Sequence, residues 1–146
     1  MDVLTKSPEE TRRLGEKIAR SLKGGETLAL VGELGSGKTT FVKGLAKGLG
    51  VEQRIISPTF IILRKYDIPL VQRPRGIKNF YHIDLYRLEG AVESELKNIG
   101  APDVWGKRQN IVVVEWAEKV TGLFPQNTIW IKFENLGKAK RKIKVN

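Results

Sequence analysis

A chain of 146 residues, 40% of them apolar, is long enough for one domain with a hydrophobic core. Cysteine is absent and His82 is the single histidine, which excludes disulfides, cysteine nucleophiles and thiolate or histidine-rich metal sites. There is no apolar run of about 18 residues and no signal-peptide pattern at the N-terminus, so we expect a cytoplasmic protein without membrane association.

The chain is strongly basic, with 26 Lys and Arg residues, 16 Asp and Glu residues and a formal net charge of +10. Such a charge attracts polyanions, including nucleotides and RNA, at long range. A lysine-rich surface that only keeps the protein soluble would explain the same count equally well. The charge therefore does not locate a site.

The N-terminal third is predicted to form a helix, a buried strand and a second helix. Residues 7–10 (SPEE) are typical of a helix start, with a serine N-cap and a glutamate three residues later. Apolar residues then recur every four positions up to Leu22, which predicts a buried helix face. A short apolar strand is predicted at residues 27–31. The spacing of apolar residues in 38–49 predicts the second helix, which Gly50 ends.

The rest of the chain alternates short apolar runs with polar segments. Residues 54–66 are rich in β-branched residues but broken by Ser57-Pro58, which predicts a strand around a loop or two short strands. Residues 68–79 carry two prolines and a glycine and predict a surface excursion. Further strands are predicted at 80–84 and 111–115, brief helices at 93–99 and 103–105, and a C-terminal β-hairpin at 128–133 and 140–145 with a turn at 135–137.

Residues 32–39 (GELGSGKT) fit the phosphate-binding loop pattern G-x-x-x-x-G-K-[ST], between a predicted strand and a predicted helix. Glycines let successive backbone N–H groups surround an anion, and the helix N-terminus favours phosphate. Lys38 would reach the β and γ phosphates of ATP. The Thr39 hydroxyl suits Mg²⁺, with Thr40 assisting. A glycine-rich turn without a ligand is the alternative, and the strand and helix context argues against it.

Two carboxylates end predicted strands downstream of this loop. Asp84 ends the apolar run at 80–83 and Glu115 ends the run at 111–114. The carboxyl ends of parallel strands meet at one edge of a sheet, so both residues are candidates for contacting Mg²⁺ and orienting the attacking water. Either carboxylate could instead cap a following helix or contact only solvent.

Three further residues each have two interpretations. Thr59, in the segment SPTF, lies where nucleotide switches place a threonine that senses the γ-phosphate, or in a plain turn. His82 is either a proton shuttle or a core histidine, and we favour the core. Trp116 either packs over the site or belongs to the core.

The segments GELGSGKTTFVKGLAKGLG, SPTF, FYHIDLYRLEG, ELKNIG and VVVEWAEK, within residues 11–119, together resemble the TsaE (also called YjeE) family of ATPases of tRNA threonylcarbamoyladenosine synthesis. The resemblance implies a single α/β P-loop NTPase domain with a mostly parallel central sheet flanked by helices. It also implies ATP or ADP and Mg²⁺ as ligands and weak ATP hydrolysis that depends on a partner complex. The implied partners are TsaB and TsaD type proteins, which modify an adenosine next to the anticodon of tRNA. The chain would contact tRNA only indirectly, through its complex with these proteins.

The resemblance also assigns roles to individual residues. The Mg²⁺ ligands of the family correspond to Thr39 and Glu115, and its Walker B aspartate, beside the metal, corresponds to Asp84. Its switch threonine corresponds to Thr59, and Lys38, Asp84, Glu115 and Thr59 form the expected catalytic set. The nucleotide-binding positions correspond to Thr11, Glu33, Leu34, Gly35, Ser36, Gly37, Lys38, Thr39, Thr40 and Trp116.

Two other functions use the same features. A small-molecule or nucleoside kinase would need an arginine-bearing lid and an acceptor pocket, for which the chain has little length left. A non-catalytic RNA-binding module would draw on the basic residues, but these lack an aromatic platform motif. ATP hydrolysis that acts as a switch is therefore the preferred function.

Overall fold

A seven-stranded sheet organises the chain in the computed structural model, which describes residues 1–58, 62–70 and 76–146, except the side chain of Thr121. The strands are β1 (Asp2–Thr5), β2 (Thr27–Val31), β3 (Leu63–Asp67), β4 (Asn79–Asp84), β5 (Asn110–Glu115), β6 (Ile129–Gly137) and β7 (Lys140–Val145). The helices are α1 (Pro8–Ser21), α2 (Lys38–Leu49) and α3 (Val92–Asn98), with 3₁₀ segments at Ala101–Val104 and Ala117–Leu123. The α/β class and the C-terminal β-hairpin are confirmed.

The strand order is β1-β7-β6-β2-β5-β4-β3. The four central strands β6, β2, β5 and β4 are parallel, while β7, β1 and β3 are attached antiparallel at the two sides. All six residues of β5 are buried, as expected for a parallel strand with both faces covered. The predicted parallel centre is confirmed, and it aligns the carboxyl ends of β2, β4 and β5 at one edge.

Two apolar layers cover the sheet. One contains α1 and α2, which contribute Leu14, Ile18, Phe41 and Leu45 to the larger core cluster. The other contains α3 and the two 3₁₀ segments, packed against residues such as Val114 of β5. No helix of the described residues has the length and apolar character needed to cross a bilayer.

The predicted start of α1 and the predicted end of α2 depend on local chemistry and are confirmed, whereas α1 ends at Ser21 and the predicted capping box does not form. The Ser7 hydroxyl accepts from the Glu10 N–H at 3.2 Å, so serine is the N-cap of α1. The Glu10 carboxylate accepts from the N–H of Lys6 at 3.3 Å, one residue before the position expected of a capping box. Gly50 ends α2 with φ of 93°, where a glycine avoids the strain of other residues.

Three predictions of local structure are wrong in part. Within the described part of residues 54–66, which omits 59–61, strand structure begins only at Leu63, after the interruption at Pro58. The C-terminal turn lies at Lys138–Ala139, both with positive φ, and residues 135–137 extend β6. The brief helix predicted at 103–105 is a 3₁₀ segment at Ala101–Val104.

Two more differences concern tertiary contacts. Ile68 and Ile77 are fully buried, so the ends of the predicted surface excursion contribute to the core, while residues 71–75 lie outside the described residues. Sequence analysis did not predict β1, which is short and pairs with β7 from the other end of the chain. The strand conformation of β1 depends on this pairing with a distant segment, and the sequence of β1 alone has no pattern that predicts a strand.

Candidate functional site

The loop between β2 and α2 has the backbone of a phosphate-binding loop. Gly35 and Gly37 have φ of 77° and 101°, conformations that favour glycine. α2 begins at Lys38, and no side chain caps its first turn. The first N–H groups of such a helix are available to an anion, and the helix dipole favours negative charge there.

A cavity of about 360 Å³ lies in front of this loop. Its lining includes most of the residues that the sequence singled out: Leu34, Gly35, Ser36, Gly37, Lys38, Thr39, Thr40, Asp84, Glu115 and Trp116. It also includes Ser57, Tyr86 and Arg141, which sequence analysis did not assign. Thr59 lies outside the described residues, so its predicted switch role stays a prediction.

Lys38 is buried at the centre of the site. Its ammonium group donates to the backbone carbonyls of Gly32 and Glu33, the latter at 3.0 Å. The same nitrogen lies 4.1 Å from the centroid of the Trp116 ring, a cation–π distance. In this arrangement the lysine is held by its own loop and by an aromatic face.

The electrostatic environment of Lys38 has two opposing parts. Burial lowers the pKa of its ammonium group from the ordinary value of 10.5. The carboxylates of Glu115, Glu118, Asp84 and Glu33 act in the opposite direction and partly offset that pKa shift. A phosphate group would add negative charge beside a cation that is incompletely solvated.

Glu115 and Thr39 meet at the carboxyl end of β5. The Thr39 hydroxyl donates to the Glu115 carboxylate, at 3.1 Å from Oε1 and 3.4 Å from Oε2. Glu115 is 2% exposed, and its Oε2 also lies within hydrogen-bond distance, 2.6 Å, of Nε2 of His82 on the neighbouring strand. Two of the three predicted Mg²⁺ ligands, Thr39 and Glu115, are therefore adjacent, and His82 contacts one of them.

Asp84 lies level with Glu115 in the register of β4 and β5. Its Oδ2 accepts from the Ser57 hydroxyl at 2.9 Å, and its Oδ1 accepts from the Tyr86 N–H at 2.9 Å. Both oxygens thus have partners on the loops that flank the cavity. The prediction that Asp84 shares the site with Glu115 agrees with this placement, while its catalytic role remains a prediction.

Trp116 lines the main cavity and also packs against the smaller core cluster, so each of its two interpretations holds in part. It has φ of 61°, an uncommon conformation for a residue other than glycine. Its ring lies 5.1 Å from that of Tyr86, and Tyr86 is 42% exposed. The ammonium group of Lys119, in the 3₁₀ segment after Trp116, donates to the carbonyls of Tyr86 and Leu88. These bonds connect the segment after β5 to the loop after β4.

Two predicted nucleotide-binding residues do not line the main cavity. Glu33 is exposed, and its carbonyl oxygen accepts from Lys38. Thr11 is 2% exposed, and its hydroxyl shares a hydrogen bond of 2.7 Å with Thr5. Thr11 instead lines a neighbouring cavity of about 50 Å³, together with Gly37 and Arg141.

Arg141 is the main residue of the site that the sequence did not single out. Its guanidinium group donates to the carbonyl of Gly35 at 3.0 Å and to the side chain of Asn135 at 3.0 Å. The only local signal was its position in the basic run KAKRK. The antiparallel pairing of β6 and β7 brings this run from the C-terminus to the phosphate-binding loop.

The oxygen chemistry of the site fits Mg²⁺. Thr39 and Glu115 offer a hydroxyl and a carboxylate in direct contact. Within residues 1–58, 62–70 and 76–146, no group of three or more His, Asp or Glu side chains could hold a metal ion by itself. Mg²⁺ commonly takes one or two protein ligands and completes its shell with phosphates and water. A donor set of this kind would suit a metal whose remaining ligands are phosphate oxygens and water.

Comparisons with known proteins agree with this architecture. The tRNA threonylcarbamoyladenosine biosynthesis protein TsaE of Bacillus subtilis is 37% identical over 139 residues, which are 95% of this chain and 80% of the relative. The protein of that name from Treponema pallidum is 38% identical over 146 residues, 99% of both chains. A crystal structure of Bacillus subtilis YdiB superposes with a TM-score of 0.76 at 33% identity, covering 99% of this chain and 83% of that one.

The family model described as "Threonylcarbamoyl adenosine biosynthesis protein TsaE" matches residues 5–143. The matched range includes the phosphate-binding loop, the ends of β4 and β5, and Arg141 in the C-terminal hairpin. Every residue that the structure gathers around the main cavity lies within it. The chain therefore belongs to the TsaE family.

Proposed function

We propose that this protein binds ATP with Mg²⁺ in the main cavity and hydrolyses it slowly, as a switch on a partner complex that makes threonylcarbamoyladenosine in tRNA. The observation that carries the proposal is the meeting of Lys38, Thr39 and Glu115 beside the phosphate-binding loop. A nucleoside triphosphate needs a cation and N–H donors for its phosphates, which Lys38 and the loop supply. Its metal needs oxygen ligands, which the Thr39 hydroxyl and the Glu115 carboxylate supply.

Lys38 is the phosphate-binding cation of the proposed reaction. It now donates to carbonyl oxygens of its own loop, which are weaker partners than an anionic phosphate. On nucleotide binding it would exchange these carbonyls for phosphate oxygens, while the N–H groups at the start of α2 surround the same anion. Burial strengthens the attraction, because water screens it less.

Thr39 and Glu115 would hold Mg²⁺, which when bound would supply neutralisation of the negative charge on the phosphates. Asp84 stands beside Glu115 with its carboxylate oriented by Ser57 and Tyr86, and we assign it to the neighbourhood of the metal and the attacking water. Thr59 follows Ser57 by two residues and is our candidate for sensing the γ-phosphate.

Hydrolysis is favoured over phosphate transfer to a small acceptor. Among the described residues, the first turn of α2 is the only part of an α-helix that lines the main cavity. Kinases usually close a lid to exclude water from the acceptor. An open site with two ordered carboxylates suits water as the nucleophile.

The partners are proposed from the family. TsaB and TsaD type proteins would carry the modification chemistry, and tRNA would be met through their complex. We expect the isolated chain to turn over slowly, since Arg141 is engaged with Gly35 and Asn135 rather than free to reach a transferring phosphate. A cytoplasmic location follows from this role.

Two variants and a matched control test the site. Lys38→Ala removes a charged hydrogen-bond donor worth about 2 kcal/mol or more, so ATP should bind about 30-fold more weakly or not at all. Glu115→Ala should weaken binding and turnover in Mg²⁺ while changing Mg²⁺-free binding little. Lys43→Ala, an exposed lysine on the same helix, should behave as the native protein. Native binding by Lys38→Ala would refute the site.

The reaction and its partners need a separate assay. The chain would be incubated with ATP, Mg²⁺, TsaB and TsaD type proteins and tRNA, omitting each component in turn, and free phosphate and modified adenosine would be measured. ATP hydrolysis stimulated by the partners and required for modification is the expected result. Phosphate found on a small acceptor instead of in solution would favour a kinase and contradict the switch.

A further inference from the structure

His82 is a fully buried polar residue in the middle of β4. Alternation along the strand places it on the same face as Phe80 and Asp84. Its Nε2 lies 2.6 Å from Oε2 of Glu115, which is itself only 2% exposed. The contact therefore joins two groups that are both shielded from water.

The protonation of the imidazole ring follows from its partner. An ionised carboxylate only accepts hydrogen bonds, so Nε2 must carry the hydrogen and donate it to Glu115. The other ring nitrogen, Nδ1, is buried and has no hydrogen-bond partner among the described residues. A buried polar atom without a partner destabilises the fold, and an apolar side chain of similar size would avoid that cost. Packing alone therefore does not explain a histidine here.

The two contacts of Glu115 orient its carboxylate. Oε2 is engaged by His82 at 2.6 Å, and the Thr39 hydroxyl lies closer to Oε1, at 3.1 Å, than to Oε2, at 3.4 Å. The histidine thus engages one oxygen at short distance, and the Thr39 hydroxyl, which lines the cavity, lies nearer to the other. Rotation of the carboxylate would break the shorter of these bonds.

We propose that His82 is a positioning residue, which holds the Glu115 carboxylate in the orientation that binds Mg²⁺ beside Thr39. The inference rests on the proposed function, because it requires a nucleotide and its metal in the cavity. His82 itself is not among the residues that line the cavity. Partners that orient a metal-binding carboxylate typically change metal affinity by about 10–100-fold when they are removed.

Two amide substitutions separate positioning from packing. His82→Gln places an amide N–H at nearly the distance from the backbone that Nε2 has, so it can still donate to Glu115. His82→Asn carries the same amide on a shorter side chain and does not reach. Phe80→Leu changes a fully buried residue on the same face of β4 without contact to the site, and it serves as the packing control.

Calorimetry measures the affinity for a non-hydrolysable ATP analogue at increasing Mg²⁺ concentrations. The quantity compared is the Mg²⁺ concentration at which half of the Mg²⁺-dependent gain in affinity is reached, called the midpoint below. We expect a rise of about tenfold for His82→Asn. His82→Gln and Phe80→Leu should stay within about threefold of the native protein. Binding of the analogue without Mg²⁺ should be alike in all four proteins, which also shows that they are folded.

Equal shifts in the two amide variants, or no shift in His82→Asn, would overturn the positioning role. If His82→Asn does not fold, His82→Leu replaces it as the variant without a donor: a tenfold rise there with a native midpoint in His82→Gln supports the proposal, and a native midpoint in both or equal rises in both refute it. If the native protein shows no Mg²⁺-dependent binding of the analogue, the proposed function itself fails. The two failures are therefore distinguishable.

Discussion

Helices α1 and α2 touch through glycines, and this contact supports a prediction of stability. A Cβ atom added at Gly44 would overlap the backbone carbonyl of Arg12 in α1. One added at Gly15 would overlap the carbonyl of Phe41 and lie 2.7 Å from the N atom of Leu45 in α2. Both closest atoms belong to backbone, so no side-chain rotation relieves the overlap.

Two effects of opposite sign decide the outcome of Gly44→Ala. Alanine is favoured over glycine within a helix by about 1 kcal/mol. Overpacking a close contact costs about 1–3 kcal/mol, and a clash with fixed backbone belongs at the upper end. The free energy of unfolding should therefore fall by about 2 kcal/mol. For a chain of this size, that corresponds to a decrease in Tm of about 4–8 °C.

Urea unfolding followed by circular dichroism measures this difference. Gly122→Ala is the matched control, because a Cβ atom there has no neighbour within 4 Å, and its effect should be below about 0.5 kcal/mol. The reasoning would be refuted if Gly44→Ala were as stable as the native protein or more so. That result would mean that helix propensity outweighs the contact between the helices.

Two further predictions concern Lys38. Its pKa is lowered by burial in the folded protein, so the unfolded chain binds more protons as the pH approaches 10.5, and stability should rise with pH in that window. The free energy of unfolding, measured in urea, should therefore rise in the native protein relative to Lys38→Met between neutral pH and about pH 10. A difference between the two proteins that does not change with pH would contradict this. Phosphates should also draw Lys38 from the Trp116 ring, so ATP should change tryptophan fluorescence in the native protein; Trp116→Phe should abolish that change although Trp105 and Trp130 remain.

The features that could be predicted from sequence are those with a local cause. The N-cap at Ser7 and the glycine that ends α2 depend on backbone chemistry within one turn of helix. The phosphate-binding loop depends on glycines at fixed spacing between a strand and a helix. The proximity of Asp84 and Glu115 could be predicted because both end parallel strands, and the carboxyl ends of parallel strands lie at the same edge of a sheet.

The contacts that could not be predicted join distant parts of the chain. Arg141 reaches Gly35 only because β7 folds back along β6, and the turn at Lys138–Ala139 lies beyond the glycine that suggested it. His82 was assigned to the core, and its burial is as expected, but its bond to Glu115 depends on the register between β4 and β5. A pattern within a single strand contains no information about that register.

The arrangement around Lys38 indicates where a nucleotide switch would begin. Glu115, His82 and Asp84 lie on buried central strands, whose positions are fixed by the sheet. By contrast, the ring of Trp116 contacts Lys38 from the start of the 3₁₀ segment Ala117–Leu123. Lys119 in that segment is bonded to the carbonyls of Tyr86 and Leu88 in the loop after β4. If ATP binds as proposed and Lys38 moves onto a phosphate, the contact between Lys38 and the Trp116 ring would be lost. The loops that carry Trp116 and Tyr86 would then respond to ATP before the sheet does.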